Sequence, residues 1–325
     1  MTNFLFDDLD KEIKQLQRLQ IQNDFASFVK RTVNDYLDAP YLNYFFKALQ
    51  KFYQDVMDKK SPRLIINMPP RSLKSETASI RFALWAMLNN PHLAIILVSA
   101  NQDLASAFSR KARDLLDHEY VKQNWTDKIA PQNKSVETWA LTNKSVFKAV
   151  GIGGQLTGFG GDILLLDDPL RDMKQANSLK IKDDQYEWFQ SVAQTRVSPG
   201  GGIVVTLTRW AEDDIAGRLI KNFPDDWQVI KFKAIADEDE EFRKKGEVLN
   251  SKRYTLNDML KFKNDNSPQI WYSLYQQEPR VREGNLFKNS FFQNFYFQAW
   301  LTLRLFILFN NFTPFLPSIR CVHRR

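Results

Sequence analysis

Lys74 and Ser75 follow a short apolar run and a turn, in the order Leu64-Ile65-Ile66-Asn67-Met68-Pro69-Pro70-Arg71-Ser72-Leu73-Lys74-Ser75. The apolar residues stop at two prolines, and a helical period then runs from Glu76 to Leu88, which predicts strand, loop and helix. A polyphosphate needs this layout. Helix N-terminal amides face the anion, a lysine adds a point charge, and a hydroxyl reaches a bound Mg²⁺. The spacing fits G-x-x-x-x-G-K-[ST] in its last two places, although Met68 and Leu73 occupy both glycine places. A surface loop that happens to end in Lys-Ser would read the same way, and this word alone does not separate the two.

Two further stretches bear on that choice. Gly161-Asp162-Ile163-Leu164-Leu165-Leu166-Asp167-Asp168-Pro169 puts a pair of carboxylates at the end of a buried strand, roughly 90 residues after Lys74. Ligands of open α/β sheets bind at that edge. In a phosphoryl-transfer site Asp167 would hold Mg²⁺ and Asp168 would orient the attacking water; otherwise the aspartates only cap a turn. The run Val204–Asp214 brings the hydroxyls of Thr206 and Thr208 and then Arg209 to another strand end, with Asp213 as the expected N-cap of the following helix. The glycine-rich Gly151–Gly161 suits either close approach to nucleotide or DNA, or a mobile connection.

These groups need a scaffold. Residues 4–60 carry apolar positions at helical spacing throughout. Strands are then expected at Leu64–Ile66, Ala94–Ser99, Ile163–Leu166, Ile203–Thr208 and Trp227–Phe232. Helices are expected between them at Lys74–Leu88, Gln102–Leu116, Leu179–Ala193 and Asp213–Ile220, with a hairpin over Ser135–Leu141 and Ser145–Val150. Continuous apolar strands alternating with helices predict an α/β domain whose mostly parallel sheet is covered on both faces. The expected organisation is a helical N-terminal segment (1–60), the α/β domain (61–250), a helical linker (251–288, with helices at Leu256–Phe262 and Pro268–Gln277) and an atypical tail (289–325).

The 325 residues have the composition of an ordinary globular protein: 43% hydrophobic and 26% charged. One cysteine, Cys321, rules out a disulfide framework, and three scattered histidines form no cluster. The start of the chain is acidic and has no signal-peptide core, so the cytoplasm is the expected compartment. Of the net charge of +7, five positive charges come from Lys288, Arg304, Arg320, Arg324 and Arg325, in a stretch with no acid. The basic balance therefore belongs to the tail and says little about the body. Nine phenylalanines fall between Phe287 and Phe315 without a readable period, which suggests a truncated or frameshifted end; the apolar run Ala299–Phe309 is too short for a membrane span.

Taken together, the words I-N-M-P-P-R-S-L-K-S (66–75), V-S-A-N-Q-D-L-A (98–105), G-Q-L-T-G (154–158), Asp167-Asp168-Pro169, Thr208-Arg209-Trp210, E-D-D-I-A-G-R-L (212–219) and Y-Q-Q-E-P (275–279) resemble the ATPase half of the large terminase subunit of tailed bacteriophages and prophages. The resemblance spans about Leu64–Lys288. It implies a RecA-like P-loop ATPase fold and the cofactors ATP and Mg²⁺. It implies a nucleotide loop of Pro70, Arg71, Ser72, Leu73, Lys74 and Ser75, with Ser75 and Asp167 on the metal and Asp168 and Arg71 in catalysis. Thr206, Thr208 and Arg209 would form the coupling segment. The implied partners are double-stranded DNA, the portal protein, the small terminase subunit and sister copies in a ring.

The chain departs from that family at three places. Phe159 stands where relatives often carry an arginine that reaches a neighbour, leaving Arg196 or Arg209 as substitutes; Ala211 replaces a frequent histidine. No carboxylate follows Glu283, whereas the family's nuclease domain holds two metals on several. The expectation is a packaging ATPase without its own nuclease. A terminase remnant that binds partners without turnover, and a helicase-like ATPase, are the alternatives.

Overall fold

A computed structural model describes residues 19–280, together with residue 13 and residues 15–17. The expectations for the tail beyond Lys288, and for Glu283, lie outside the described residues.

Eight strands form one sheet: β1 (Arg63–Asn67), β2 (Ala94–Ser99), β3 (Ile129–Lys134), β4 (Thr138–Leu141), β5 (Val146–Gly151), β6 (Gly161–Asp167), β7 (Val197–Leu207) and β8 (Gln228–Lys231). Their spatial order is β3-β4-β5-β2-β6-β7-β1-β8. From β5 to β8 every pairing is parallel, and only β3–β4 and β4–β5 are antiparallel. The strand before the lysine loop therefore does not adjoin the strand that ends in the acids: β7 lies between β1 and β6. Because the central strands run the same way, Asn67, Ser99, Asp167 and Leu207 all end at one edge of the sheet.

Both faces are covered, as a parallel sheet requires. On one face Leu64, Ile66, Leu97, Leu165 and Val204 pack with helices Phe25–Thr32 and Pro40–Met57 and with Phe82 and Trp85 of the helix that follows β1. The N-terminal helices thus share the core of the sheet. Arg81, only 7% exposed, pins them to the loop helix: its Nη2 donates to the Thr32 carbonyl at 2.8 Å and its Nη1 to Glu76 at 2.6 Å. The other face buries Ile65, Val98, Leu164 and Val205 under Phe189, Ile215 and Leu219. Among the described residues no helix is long and apolar enough to cross a membrane.

The departures from expectation have local causes. β3 is an unpredicted strand, because its sequence Ile-Ala-Pro-Gln-Asn-Lys lacks the alternation and β-branched residues that mark one. The observed hairpin, Thr138–Leu141 with Val146–Gly151, is shorter on its first arm than expected. β7 begins six residues before Ile203, running through Ser198-Pro199-Gly200-Gly201-Gly202. Gly202 is required by packing, since a Cβ there would lie 2.4 Å from Phe52 Cζ. The N-cap expected at Asp213 is Asp214, whose side chain accepts from the Gly217 amide at 2.9 Å, while Asp213 pairs with Lys182. Among the described residues, three helices contain π turns, at Glu76–Arg81, Phe189–Ala193 and Trp271–Tyr275.

Candidate functional site

The loop after β1 ends where the helix starts, and the conformation of Leu73 makes this possible. Its φ of +63° is the left-handed conformation that the missing glycine would supply, and its carbonyl accepts the first helical bond, from Thr77 N at 2.9 Å. Arg71 in the same loop has φ +60°. Such strain persists only where the surroundings fix it. Ser72 Oγ donates to the Pro69 carbonyl at 2.6 Å, Tyr41 OH donates to the Ser72 carbonyl at 3.3 Å, and Arg253 Nη1 donates to the Arg71 carbonyl at 3.4 Å.

Lys74, 8% exposed, lies 2.7 Å from Asp168 Oδ2 and donates to Thr208 Oγ1 at 3.0 Å. Thr208 in turn donates its hydroxyl to the Met68 carbonyl at 3.0 Å and its amide to Asp168 Oδ1 at 2.8 Å. The Asp168 amide donates to the Thr206 carbonyl at 3.0 Å, and Asp168 itself has φ +39°. Residues drawn from β1, β6 and β7 therefore meet through one lysine, one carboxylate and one hydroxyl.

Asp167 differs from its neighbour. It is 1% exposed, and neither carboxylate oxygen has a hydrogen-bond partner. Burial first, and then the charge of Asp168, push its carboxyl up to about 7, partly offset by Lys74, Ser75 and Ser79 close by. A dry, unpartnered carboxylate near a serine hydroxyl at a helix mouth is a hard oxygen donor set, and it fits a divalent cation such as Mg²⁺. Among the described residues no group of three or more His, Cys, Asp or Glu could hold a metal by itself, so the phosphates would have to complete the shell.

A small cleft of about 280 Å³ runs over the loop, lined by Arg71 through Glu76 and by Arg253. Arg71 and Ser72 also border a cavity of about 460 Å³, whose walls include Tyr41, Asn250, Tyr254, Met259, Phe262 and Tyr275. Tyr41 lines this cavity from the helix Pro40–Met57, ahead of the sheet. Beyond Pro69–Ser72, the rest of that wall comes from residues 234–275, which reach the loop by a return of the chain after the sheet. Arg253 and Tyr254 carry no local signal in the sequence.

The remaining expected residues fall elsewhere. Thr206 is buried on β7 beside Asp167 in register. Arg209 is 6% exposed and consumed by structure: Nε donates to both oxygens of Asp214 at 3.0 and 2.8 Å, and Nη2 donates to the carbonyls of Ala211 and Glu212. It is not free to reach a neighbour. Arg196 precedes β7, a strand's length from the edge that carries Lys74. Phe159 packs against the second core cluster, and the glycine-rich stretch is tied down where Trp188 Nε1 donates to the Gly154 carbonyl at 3.0 Å.

A parallel sheet whose β1 feeds a lysine loop and helix, with one strand between it and an Asp-Asp strand end, defines a P-loop α/β protein of the RecA-like kind. The profile of the family described as terminase large subunit, T4likevirus-type, N-terminal, matches residues 65–293, and the chain belongs to that family. No curated protein matches the chain. Similar solved structures include the large terminase of bacteriophage HK97, at 15% identity over 67% of this chain and 45% of that one, with a TM-score of 0.42. The large terminase of a thermophilic bacteriophage in complex with ADP shows 11% identity over 71% and 52%, with a TM-score of 0.44. The large-terminase ATPase domain of Thermus phage P74-26 shows 11% over 70% and 93%, with a TM-score of 0.49. The chain spans about half the length of the first two.

Proposed function

We propose that this chain is the ATP-hydrolysing motor part of a phage DNA-packaging terminase. The observation that carries this reading is the convergence of Lys74, Asp168 and Thr208 beside the unpartnered carboxylate of Asp167. Nucleotide phosphates would lie on the helix amides from Lys74 onward, with Arg71 and Arg253 along the cleft. Lys74 would exchange Asp168 for phosphate, and Asp168, so released, would orient the attacking water and take its proton. Ser75 and Asp167 would hold Mg²⁺, which supplies charge neutralisation to the phosphates when bound. Thr208 bonds both partners of the exchange, so it would register whether phosphate is present. The base would fill the aromatic cavity beside Tyr41 and Tyr254.

By family membership, the proposed partners are double-stranded DNA, a portal protein, a small terminase subunit and further copies in a ring. We also propose that these 325 residues do not cut DNA, since no acid follows Glu283. Metal-dependent nicking of plasmid that survives controls for contaminating nucleases would overturn this second proposal.

Steady-state ATP hydrolysis with Mg²⁺, with and without linear duplex DNA, tests the main reading. Turnover is expected in the wild type and should be lost in Lys74→Ala and in Asp168→Asn. A folded wild type no faster than Lys74→Ala would leave a terminase remnant that binds without turning over.

A further inference from the structure

Ser99 closes β2, is fully buried, and its hydroxyl has no hydrogen-bond partner. In the parallel register Ser99 lies opposite Asp167, and Asp167 lies opposite Thr206. Residues paired in this way project from the same face of a sheet. That face also carries Leu97, Leu165 and Val204, which pack with Phe82 and Trp85 of the loop helix. At this strand edge one orphaned hydroxyl thus lies beside both orphaned oxygens of a carboxylate.

Leaving such groups unpaired costs stability, and more for a charge than for a neutral hydroxyl. Ser99 and Asp167 face each other across adjacent strands, yet no hydrogen bond joins them. A common guest would satisfy both. Mg²⁺ is the guest whose chemistry fits, because it takes few protein ligands and keeps several waters. Metal-bound waters are donors that need acceptors, and a serine hydroxyl has two lone pairs to offer.

We propose that Ser99 is a positioning residue for the metal: its Oγ accepts a hydrogen bond from a water on the cation held by Ser75 and Asp167. This rests on the nucleotide–Mg²⁺ reading above. Ser99 touches neither phosphate nor protein ligand in this role. It fixes the hydrated ion, and through it the carboxylate.

The test is ADP binding by calorimetry across a Mg²⁺ titration, with EDTA as the metal-free reference. Ser99→Ala, which is nearly isosteric, is expected to raise the Mg²⁺ midpoint about tenfold, the usual scale for outer-shell partners. ADP affinity in EDTA should be unchanged, and thermal stability unchanged or higher. Ser99→Cys, with a weaker acceptor, should fall between. A midpoint within twofold of wild type in both variants overturns the inference, as does a loss confined to thermal stability. Ser75→Ala and Asp167→Asn serve as controls. If they shift the midpoint and the Ser99 variants do not, only the role of Ser99 fails. If none shifts it, the metal-site reading itself fails.

Discussion

Asp167 and Leu73 each trade stability for a site. Asp167 is a buried carboxylate with nothing to bond, so Asp167→Asn should stabilise the metal-free protein by about 1–3 kcal/mol while abolishing hydrolysis. Melting with and without Mg²⁺–ADP checks both halves: the variant should start higher and gain little from ligand. Leu73 tolerates a left-handed backbone that a β-branched residue resists. Leu73→Val should therefore cost about 1–2 kcal/mol and weaken nucleotide binding, whereas Leu73→Gly should keep binding, losing only the contact that Leu73 makes with the core. The places of Lys74, Ser75 and the two acids were legible because each lies just past a continuous apolar run that ends a strand. The unusual φ at Leu73 was legible only as a missing glycine. Arg253 was not legible at all, because its place depends on where the chain returns.

The elements were legible wherever the pattern was continuous. β1, β2 and β6 follow their apolar runs, and the helices between them follow theirs. β3 was missed because backbone pairing alone, without an apolar face, makes it a strand, and the early start of β7 because Pro and three glycines disguise it. The junction between helices Leu179–Trp188 and Ile215–Asn222 rests on Lys182, which bonds Asp213, and on Arg218, which bonds Asp183 at 2.6 Å. Burial raises the Asp213 carboxyl, but the bond and charge of Lys182 outweigh it, so the net shift is downward. Its contribution is thus present above the ordinary value of 3.8 and lost as pH falls below it. Asp213→Asn should melt below wild type at pH 6, and the gap should close as pH falls through that range. A gap that stays constant with pH would show that the ion pair adds nothing at this half-exposed position.

At the scale of the molecule, the cavity beside the loop joins three distant parts of the chain: Tyr41 before the sheet, Pro69–Ser72 within it, and residues 234–275 after it. The alternation of strands and helices could be read from the chain, but this assembly could not, since no local pattern records it. Tyr254→Ala should weaken ADP binding roughly tenfold, on the scale of about 1–1.5 kcal/mol for an aromatic contact. It should leave the melting temperature without nucleotide nearly unchanged, because Tyr254 is only partly buried. The same geometry means that a nucleotide in this cavity behaves as a rivet through three layers of one chain. Residues 250–280, which add no strand to the sheet, would be gripped from outside by the ligand they help to hold. Their resistance to a protease would then report how full the site is, and a shortened gene product ending at β8 would keep every strand yet have nothing to close over a base.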